Sequence, residues 1–329
     1  MMFLASRRKQ RQRTTKGDTP IPFVKSQIVL LQSRKKFAFL YCLATITGLF
    51  CLPGVFGALS SPSPNLLAIV QMTLPLPLAS LLITAGTYIM NDLVDADLDR
   101  ANGKKRPIPS GQVSKRQAWT FVTLAFGAAM LLTTVTFNPL SLVIVSLMLV
   151  IGATYSLPPI ALMKRFIVKT ASIAVFYILC ALLGMTSAFN FDLMRDSPLL
   201  VGSVLLTLAL MVFISSTLND MGDVDGDKAA GRRTIPIVIG SESTIKLTMM
   251  LASGVLGVTW TFFGISLITD QSSPVTAVTT TIIASVVLMT LARMRKTLQD
   301  AELMRSQHKK LFPLQMTVHP SLITGVVIF

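Results

Sequence analysis

The sequence predicts an all-α, polytopic membrane protein with about nine transmembrane helices in a parallel-duplicated bundle around a central cavity. Three observations predict this fold class: the composition, the number of long apolar runs, and a short acidic motif that occurs twice. The 329 residues are 52% hydrophobic and only 14% charged, and the mean hydropathy is +0.65. A soluble domain of this size carries roughly a quarter charged residues, so the composition excludes a soluble protein.

Nine apolar runs are present, each with about the 20 residues that a helix needs to cross a bilayer. They lie near residues 37–59, 66–90, 117–137, 139–157, 167–190, 199–218, 246–268, 274–292 and 311–329. Only Asn138-Pro139 separates the third run from the fourth, and the last run is short, with His319 near its middle. We expect His319 to be a packed polar residue.

The distribution of charge predicts the orientation. The net charge of +15 comes from 30 basic and 15 acidic residues. If the N-terminus of a nine-span protein is cytoplasmic, Arg195 is the one basic residue outside the cytoplasmic segments, as the positive-inside rule requires. We therefore expect an integral protein of the cell membrane, with the N-terminus and the acidic motifs on the cytoplasmic side. Its basic residues would face membrane lipids, and we expect no nucleic acid as a partner.

The predicted domain division separates a basic arm from the membrane domain. Residues 1–33 are expected to be a disordered cytoplasmic arm, because residues 1–27 are polar, basic and lack an apolar core. Residues 34–329 would form the nine-helix domain, with a first half at about 34–165 and a second half at about 166–329. The three cysteines lie inside apolar runs without metal-ligand spacing, which predicts ordinary packing.

An acidic motif occurs twice, at residues 91–99 and 219–227, with an ungapped offset of 128 residues. The two copies read Asn-Asp-Leu-Val-Asp-Ala-Asp-Leu-Asp and Asn-Asp-Met-Gly-Asp-Val-Asp-Gly-Asp, and they hold eight of the fifteen acidic residues. The offset covers four predicted helices, an even number, so both motifs are expected at the same side of the membrane. Each motif directly follows an apolar run, and we expect each to continue its helix.

Helical geometry separates two groups of acidic residues within each motif. At 100° per residue, Asp92, Asp95 and Asp99 fall on one stripe of a helix, whereas Asp97 points away from it. In the second motif Asp225 is the residue that points away, so we expect Asp97 and Asp225 to be solvated. The predicted metal ligands are Asn91, Asp92, Asp95, Asp99, Asn219, Asp220, Asp223 and Asp227.

Carboxylates grouped at a membrane boundary need a counter-charge. Two carboxylates about 6 Å apart repel by roughly 3 kcal/mol at an effective dielectric constant near 20. A ligand set of oxygen atoms, without His or Cys, selects hard cations, and Mg²⁺ typically shares its ligand shell with substrate phosphates. We therefore predict Mg²⁺ as the cofactor and a lipid diphosphate as the ligand at the mouth of the apolar bundle. Basic residues after each motif would contact phosphate oxygens.

These motifs resemble those of the UbiA superfamily of intramembrane prenyltransferases. Residues 91–99 are similar to the first aspartate motif of that family, and residues 223–227 are similar to the second. Residues 106–111, Arg-Pro-Ile-Pro-Ser-Gly, resemble another of its loops. Tyr155-Ser-Leu-Pro-Pro followed by Lys164 resembles a third hallmark, and Arg34 resembles the basic residue that opens its first helix. The resemblance covers roughly residues 34–329.

The resemblance implies a Mg²⁺-dependent transfer of a polyprenyl group from an isoprenyl diphosphate donor to a membrane-embedded lipid or aromatic acceptor. It implies catalytic roles for Asp95, Asp99, Asp223 and Asp227. The residues implied to contact the diphosphate or the acceptor are Arg34, Lys104, Arg106, Tyr155, Lys164 and Arg232.

The identity of the acceptor is harder to infer from the sequence than the reaction type. Residues 223–236 resemble a form shared by digeranylgeranylglyceryl phosphate synthases, chlorophyll synthases, and homogentisate or menaquinone prenyltransferases, with Asp225 in place of the usual Glu. The leading hypothesis is transfer of a geranylgeranyl group to geranylgeranylglyceryl phosphate in ether-lipid synthesis. The alternatives are a quinone-precursor or chlorophyll-type prenyltransferase and a cation transporter, which would more often carry its charges near the membrane midplane. A CDP-alcohol phosphotransferase is disfavoured, because its long aspartate signature is absent.

Overall fold

The computed structural model describes residues 20–101, 105–268, 274–298, 311, 313–314 and 316–327. Within these residues the chain forms helices and connecting turns, without a β-strand, as the all-α prediction requires. The helices are α1 (Phe23–Phe50), α2 (Gly54–Leu59), α3 (Leu66–Thr73), α4 (Pro75–Val94), α5 (Ala96–Ala101), α6 (Lys115–Thr134), α7 (Pro139–Ser156), α8 (Phe166–Met185), α9 (Phe191–Asp196), α10 (Pro198–Met221), α11 (Val224–Ala229), α12 (Ile235–Ile268), α13 (Pro274–Lys296) and α14 (Val318–Val327). A 3₁₀ turn, Leu162–Lys164, precedes α8.

Seven segments of the described chain are long and apolar enough to cross a membrane. They are Leu66–Val94, which contains α3 and α4, and the helices α6, α7, α8, α10, α12 and α13. The polytopic membrane fold is confirmed, but the predicted count of nine spans is not. The first predicted span lies in α1, where Arg34, Lys35 and Lys36 leave only residues 37–50 as an apolar stretch. The last lies in α14, which has 10 residues.

Helix α1 begins earlier than the predicted end of the basic arm. The arm was expected to reach residue 33, but α1 begins at Phe23. Leu30 is fully buried in a cluster that also contains Ile89 of α4 and Phe121 of α6. The Gln27 side-chain amide donates a hydrogen bond to the backbone carbonyl of Gln117 at 3.3 Å. These contacts hold residues 23–33 as helix, and residues 1–19 lie outside the described part of the chain.

The helices pack in two similar groups. α4 packs extensively on α1 and α6, and α10 packs in the same way on α8 and α12. A parallel duplication, in which α8, α10 and α12 repeat α1, α4 and α6, would give this pattern. The division of the chain into halves near residues 165 and 166 stays a prediction.

Helices α1 and α8 join the two groups through a close backbone approach. A Cβ atom on Gly48 would lie 1.8 Å from the carbonyl oxygen of Ala181, and one on Gly184 would lie 2.0 Å from that of Thr45. Small residues allow helices within a membrane to approach at backbone distance. The glycines therefore set the spacing between the two groups.

Helix α14 is attached to the bundle through His319, which is 1% exposed. His319 Nδ1 lies 2.7 Å from Thr47 Oγ1 on α1, and Nε2 lies 2.7 Å from the Tyr177 hydroxyl on α8. Thr47 Oγ1 also donates to the carbonyl of Leu43 at 2.9 Å. The two ring nitrogens of His319 thus join α14 to both α1 and α8. The expectation of a packed polar residue is confirmed.

Candidate active site

Both acidic motifs lie where a long helix ends and a short helix begins. Helix α4 ends at Val94 before α5, and α10 ends at Met221 before α11. The prediction that each motif continues its helix holds for the start of each motif, since residues 91–94 end α4 and residues 219–221 end α10. Asp95, with φ −85° and ψ 1°, is the residue between α4 and α5, and Asp223, with φ −132° and ψ 30°, precedes α11. The rest of each motif forms a separate short helix.

In the first motif, Asp92 and Asp99 share one guanidinium group. Arg106 Nη1 donates to Asp92 Oδ1 at 2.9 Å and to Asp99 Oδ2 at 2.6 Å. Arg34 Nε donates to Asp92 Oδ2 at 2.7 Å, and its guanidinium lies 5.8 Å from the centre of the Tyr88 ring. Asp92 and Asp99 are both buried. The structure thus brings together two of the predicted basic residues and two of the predicted acidic residues.

In the second motif, Asp220 and Asp227 face a lysine that sequence reasoning missed. Lys169 Nζ donates to Asp220 Oδ1 at 2.6 Å and lies 3.7 Å from Asp227 Oδ2. Lys169 is 6% exposed, and it was interpreted from the sequence only as one of the basic residues that set the orientation. The available signal was its position inside the fifth apolar run, which starts at residue 167, rather than before it.

Arg232 connects the two motifs. Its Nη1 donates to Asp227 Oδ1 at 3.1 Å, and its Nη2 donates to Asp95 Oδ2 of the first motif. Burial disfavours the charged guanidinium, but the neighbouring Asp95 and Asp227 outweigh that effect and raise the pKa of Arg232. Because one guanidinium spans the distance between them, the two motifs converge at the same end of the bundle.

Other predicted site residues lie outside this ion-pair cluster. Asn219, Asp223 and Lys164 are exposed. The described hydrogen bonds of Lys164 involve its backbone: its N–H donates to the carbonyl of Ala161 at 3.0 Å, and its carbonyl accepts from the N–H of Arg233 at 3.2 Å. Lys104 lies outside the described residues. Asp97 and Asp225 are exposed, in agreement with the helical-face prediction.

A glycine shapes the second motif around Asp223. A Cβ atom on Gly226 would lie 2.3 Å from Asp223 Oδ1, so the Asp223 carboxylate rests over the backbone of the first turn of α11. This carboxylate is exposed at the surface of the cluster that Arg232 holds together, and an incoming ligand could reach it.

A cavity starts beside the first motif and extends into the bundle. Its wall includes Asn91, Tyr155, Tyr88, Thr84, Tyr41 and Phe176, contributed by α4, α7, α1 and α8. The space measures about 530 Å³, with the open region at its mouth included. From Thr84 to Asn91 the wall extends about 10 Å along α4, at 1.5 Å per residue. An apolar chain inside this cavity would place its polar head beside the aspartates.

The ligand set fits a hard divalent cation only in part. Within the described residues, no three His, Cys, Asp or Glu side chains are arranged to hold a metal ion. Asp92, Asp95, Asp99, Asp220 and Asp227 contact basic side chains instead. However, Asp220 Oδ2 is buried without a hydrogen-bond partner in the described chain. A buried acceptor without a donor is costly, so this oxygen suits a cation.

Comparison with known proteins decides the family. The UbiA prenyltransferase family matches residues 46–309, which is most of the chain. The chain belongs to the UbiA prenyltransferase family. It is therefore an intramembrane prenyltransferase, and the resemblance found in the motifs is confirmed.

Curated relatives of this UbiA prenyltransferase include archaeal digeranylgeranylglyceryl phosphate synthases. The chain is 30% identical to that of Methanoculleus marisnigri over 224 residues, covering 67% of this chain and 74% of the relative. It is 35% identical to that of Halobacterium salinarum over 178 residues, covering 54% of this chain and 60% of the relative. Over the second alignment the chain thus spans less than two thirds of the relative.

Solved structures share the fold of this UbiA prenyltransferase. One comes from a study of digeranylgeranylglyceryl phosphate synthase in membranes. It has a TM-score of 0.69 at 18% identity, and the match covers 93% of this chain and 99% of the chain in that structure. A UbiA homologue from Archaeoglobus fulgidus, bound to GPP and Mg²⁺, has a TM-score of 0.59 at 17% identity, covering 91% and 99%. At these identities the likeness shows the fold alone, and the bound ligands belong to the other protein.

Proposed function

We propose that this protein transfers a geranylgeranyl group from its diphosphate to geranylgeranylglyceryl phosphate in ether-lipid synthesis. The observation that carries the proposal is the convergence of the two aspartate motifs, which Arg232 connects at the mouth of an apolar cavity. The names of the archaeal relatives support the choice of substrates.

The acidic residues would hold Mg²⁺ together with the diphosphate. The proposed ligands are Asn91, Asp92, Asp95, Asp99, Asn219, Asp220, Asp223 and Asp227, with Asp95, Asp99, Asp223 and Asp227 nearest the reacting bond. Bound Mg²⁺ would neutralise the negative charge that develops on the departing diphosphate. The basic side chains that contact the carboxylates in this structure, such as Arg106 and Arg232, would then turn towards phosphate oxygens.

The chain itself would control the reacting carbon. The allylic carbon–oxygen bond of the donor breaks, the diphosphate leaves, and the acceptor hydroxyl oxygen forms the new ether bond and loses its proton to the departing diphosphate. Tyr41, Tyr88 and Phe176 line the cavity, where their ring faces can stabilise positive charge on the allylic carbon. The same apolar walls exclude water, which would otherwise capture that carbon. Tyr155, at the cavity wall, would orient the donor head.

A pocket with basic side chains beside the first motif favours a phosphate-bearing acceptor. Arg34, Lys105 and Arg106 line it together with Asp92, which pairs with both arginines. A guanidinium and an ammonium group suit the phosphate of a glycerol phosphate lipid better than a neutral aromatic ring. An aromatic quinone precursor is the second candidate, since the aromatic side chains of the cavity could stack on such a ring.

The proposed site faces the cytoplasm of the cell membrane. The positive-inside rule supports this orientation, because basic residues crowd the segments on the side of both motifs. Lys104, which follows the first motif in the sequence, and Lys164 are proposed to contact phosphate or membrane lipid headgroups.

The product identifies the acceptor. Purified protein in lipid nanodiscs would be incubated with geranylgeranyl diphosphate, Mg²⁺ and one acceptor at a time: geranylgeranylglyceryl phosphate, an aromatic quinone precursor, or chlorophyllide. Mass spectrometry should detect digeranylgeranylglyceryl phosphate with the first acceptor alone. Prenylation of an aromatic acceptor only would overturn the ether-lipid assignment, and labelled cation transport without diphosphate consumption would favour a transporter.

A further inference from the structure

Lys169 has surroundings that are unusual for a lysine. It lies in the first turns of α8 and is 6% exposed, although lysine is almost never fully buried unless it is paired. Its partners are Asp220 Oδ1 at 2.6 Å and Asp227 Oδ2 at 3.7 Å. An ammonium inside a membrane bundle is expensive unless such partners hold it, which makes it a candidate for function.

The first motif handles the corresponding carboxylates differently. Asp92 and Asp99 precede Asp220 and Asp227 by the 128-residue offset of the repeat. Asp92 also has a fixed partner, Arg34 of α1, whose side chain is 11% exposed, but the cation that bridges both carboxylates is Arg106. Arg106 belongs to the loop between α5 and α6, and its side chain is 32% exposed. That arginine can turn away without entering an apolar environment. Lys169 cannot, because its backbone is part of α8 and its side chain is only 8% exposed.

The contacts of Lys169 leave capacity for a ligand. Its ammonium has three N–H donors and, within the described residues, hydrogen-bonds Asp220 Oδ1 alone. Asp220 Oδ2, on the other side of the same carboxylate, is buried and has no hydrogen-bond partner in the described chain. One oxygen of Asp220 is thus neutralised by a fixed ammonium, and the other can still accept a cation.

We infer that Lys169 is a resident cation of the second motif and takes the place of one divalent metal ion. This inference rests on the proposed function, in which the two motifs hold a diphosphate together with Mg²⁺. Lys169 neutralises Asp220 and Asp227 permanently and offers a donor to a phosphate oxygen. The protein then binds one divalent cation per prenyl diphosphate rather than one for each motif.

The experiment counts bound metal ions. Purified protein in nanodiscs is saturated with geranylgeranyl thiolodiphosphate, which resists transfer, and is titrated with Mn²⁺ as an electron paramagnetic resonance probe. We expect one tightly bound Mn²⁺ in the wild-type protein and two in Lys169→Met, which removes the charge at similar side-chain volume. The Mg²⁺ dependence of turnover should become steeper in the same variant.

Two further variants provide controls. Lys169→Arg keeps the positive charge and should bind one Mn²⁺. Lys115→Met removes another lysine that pairs with an aspartate, at 3.3 Å from Asp97, but in an exposed position outside the site. It should also bind one Mn²⁺.

Two results would overturn the inference. One is a number of tightly bound Mn²⁺ ions other than one in the wild-type protein. The other is folded Lys169→Met protein that binds no more Mn²⁺ ions than the wild type. If Lys169→Met does not fold, the wild-type count alone decides. The proposed function fails separately, if wild-type protein that binds one Mn²⁺ transfers no prenyl group to any acceptor.

Discussion

Arg232 donates a hydrogen bond to Asp95, which lies 137 positions earlier in the chain, and a second one to Asp227 five positions before it. The Arg232 side chain is 18% exposed and that of Asp95 is 11% exposed, so this contact joins the two motifs in a largely buried environment. Opposite charges attract more strongly there than in water. The first half of the chain and the second half therefore meet at this arginine.

Replacing Arg232 tests that connection. Arg232→Ala should lower kcat/KM for the diphosphate donor by about 100-fold or more, since removing one group that stabilises transition-state charge typically costs 10²–10³ in rate. Arg232→Lys should recover only part of the lost kcat/KM, because an ammonium group cannot reproduce the contact that the two Nη atoms of Arg232 make with Asp227 and Asp95. Arg233→Ala is the matched control, since Arg233 is exposed and should tolerate the change. Equal losses in Arg232→Ala and Arg233→Ala would contradict a specific role.

The aspartate face can be tested with neighbouring substitutions. Asp95→Ala and Asp223→Ala should abolish turnover while the protein stays folded and inserted, because each removes a proposed metal ligand. Asp97→Ala should have a far smaller effect, since Asp97 is exposed and pairs with Lys115 at the surface. Turnover and size-exclusion profiles of all three variants would be compared. Full activity of Asp95→Ala and Asp223→Ala would refute the metal–diphosphate role.

Metal removal should be reversible. EDTA is expected to silence the enzyme, and added Mg²⁺ should restore turnover, because the oxygen-only ligand set selects a hard cation. The rate would be followed by product formation in nanodiscs. Persistent activity in excess EDTA would contradict a metal requirement.

The crossing of α1 and α8 should be intolerant of side chains. Gly184→Val should lower the melting temperature in detergent, because the new Cβ would lie within 2.0 Å of the Thr45 carbonyl oxygen. Overpacking of this kind typically costs about 1–3 kcal/mol. Gly202→Val is the control, since no atom lies within 4 Å of a Cβ at that position. Similar melting temperatures for the two variants would show that the close approach does not matter.

His319 should contribute to stability rather than chemistry. His319→Leu removes the 2.7 Å hydrogen bond of the Tyr177 hydroxyl and leaves it only the longer bond to the Leu40 carbonyl at 3.4 Å. The loss of hydrogen bonds to a buried polar group costs about 1–3 kcal/mol. We expect a lower melting temperature with a nearly unchanged KM for the acceptor. A normal melting temperature combined with a large increase in that KM would instead indicate an acceptor contact.

The structure also corrects the sequence predictions at particular residues. A helical wheel placed Asp92, Asp95 and Asp99 on one stripe, but it did not show that Asp95 pairs with Arg232 whereas Asp92 and Asp99 share Arg106. Lys169 was interpreted as one positive charge among many. Its role depends on which helix α8 packs against, and a sequence pattern does not contain that information.

By itself the sequence determined the all-α membrane fold, the family, and the two acidic motifs. The fold and the motifs follow from composition, apolar run length and residue spacing, which are local along the chain, and the family follows from the resemblance of the motifs to those of UbiA prenyltransferases. Only the tertiary structure decided that Arg232 joins Asp95 to Asp227 and that Lys169 holds Asp220. The physical reason is that ion pairs and burial depend on distances between helices, and packing sets those distances.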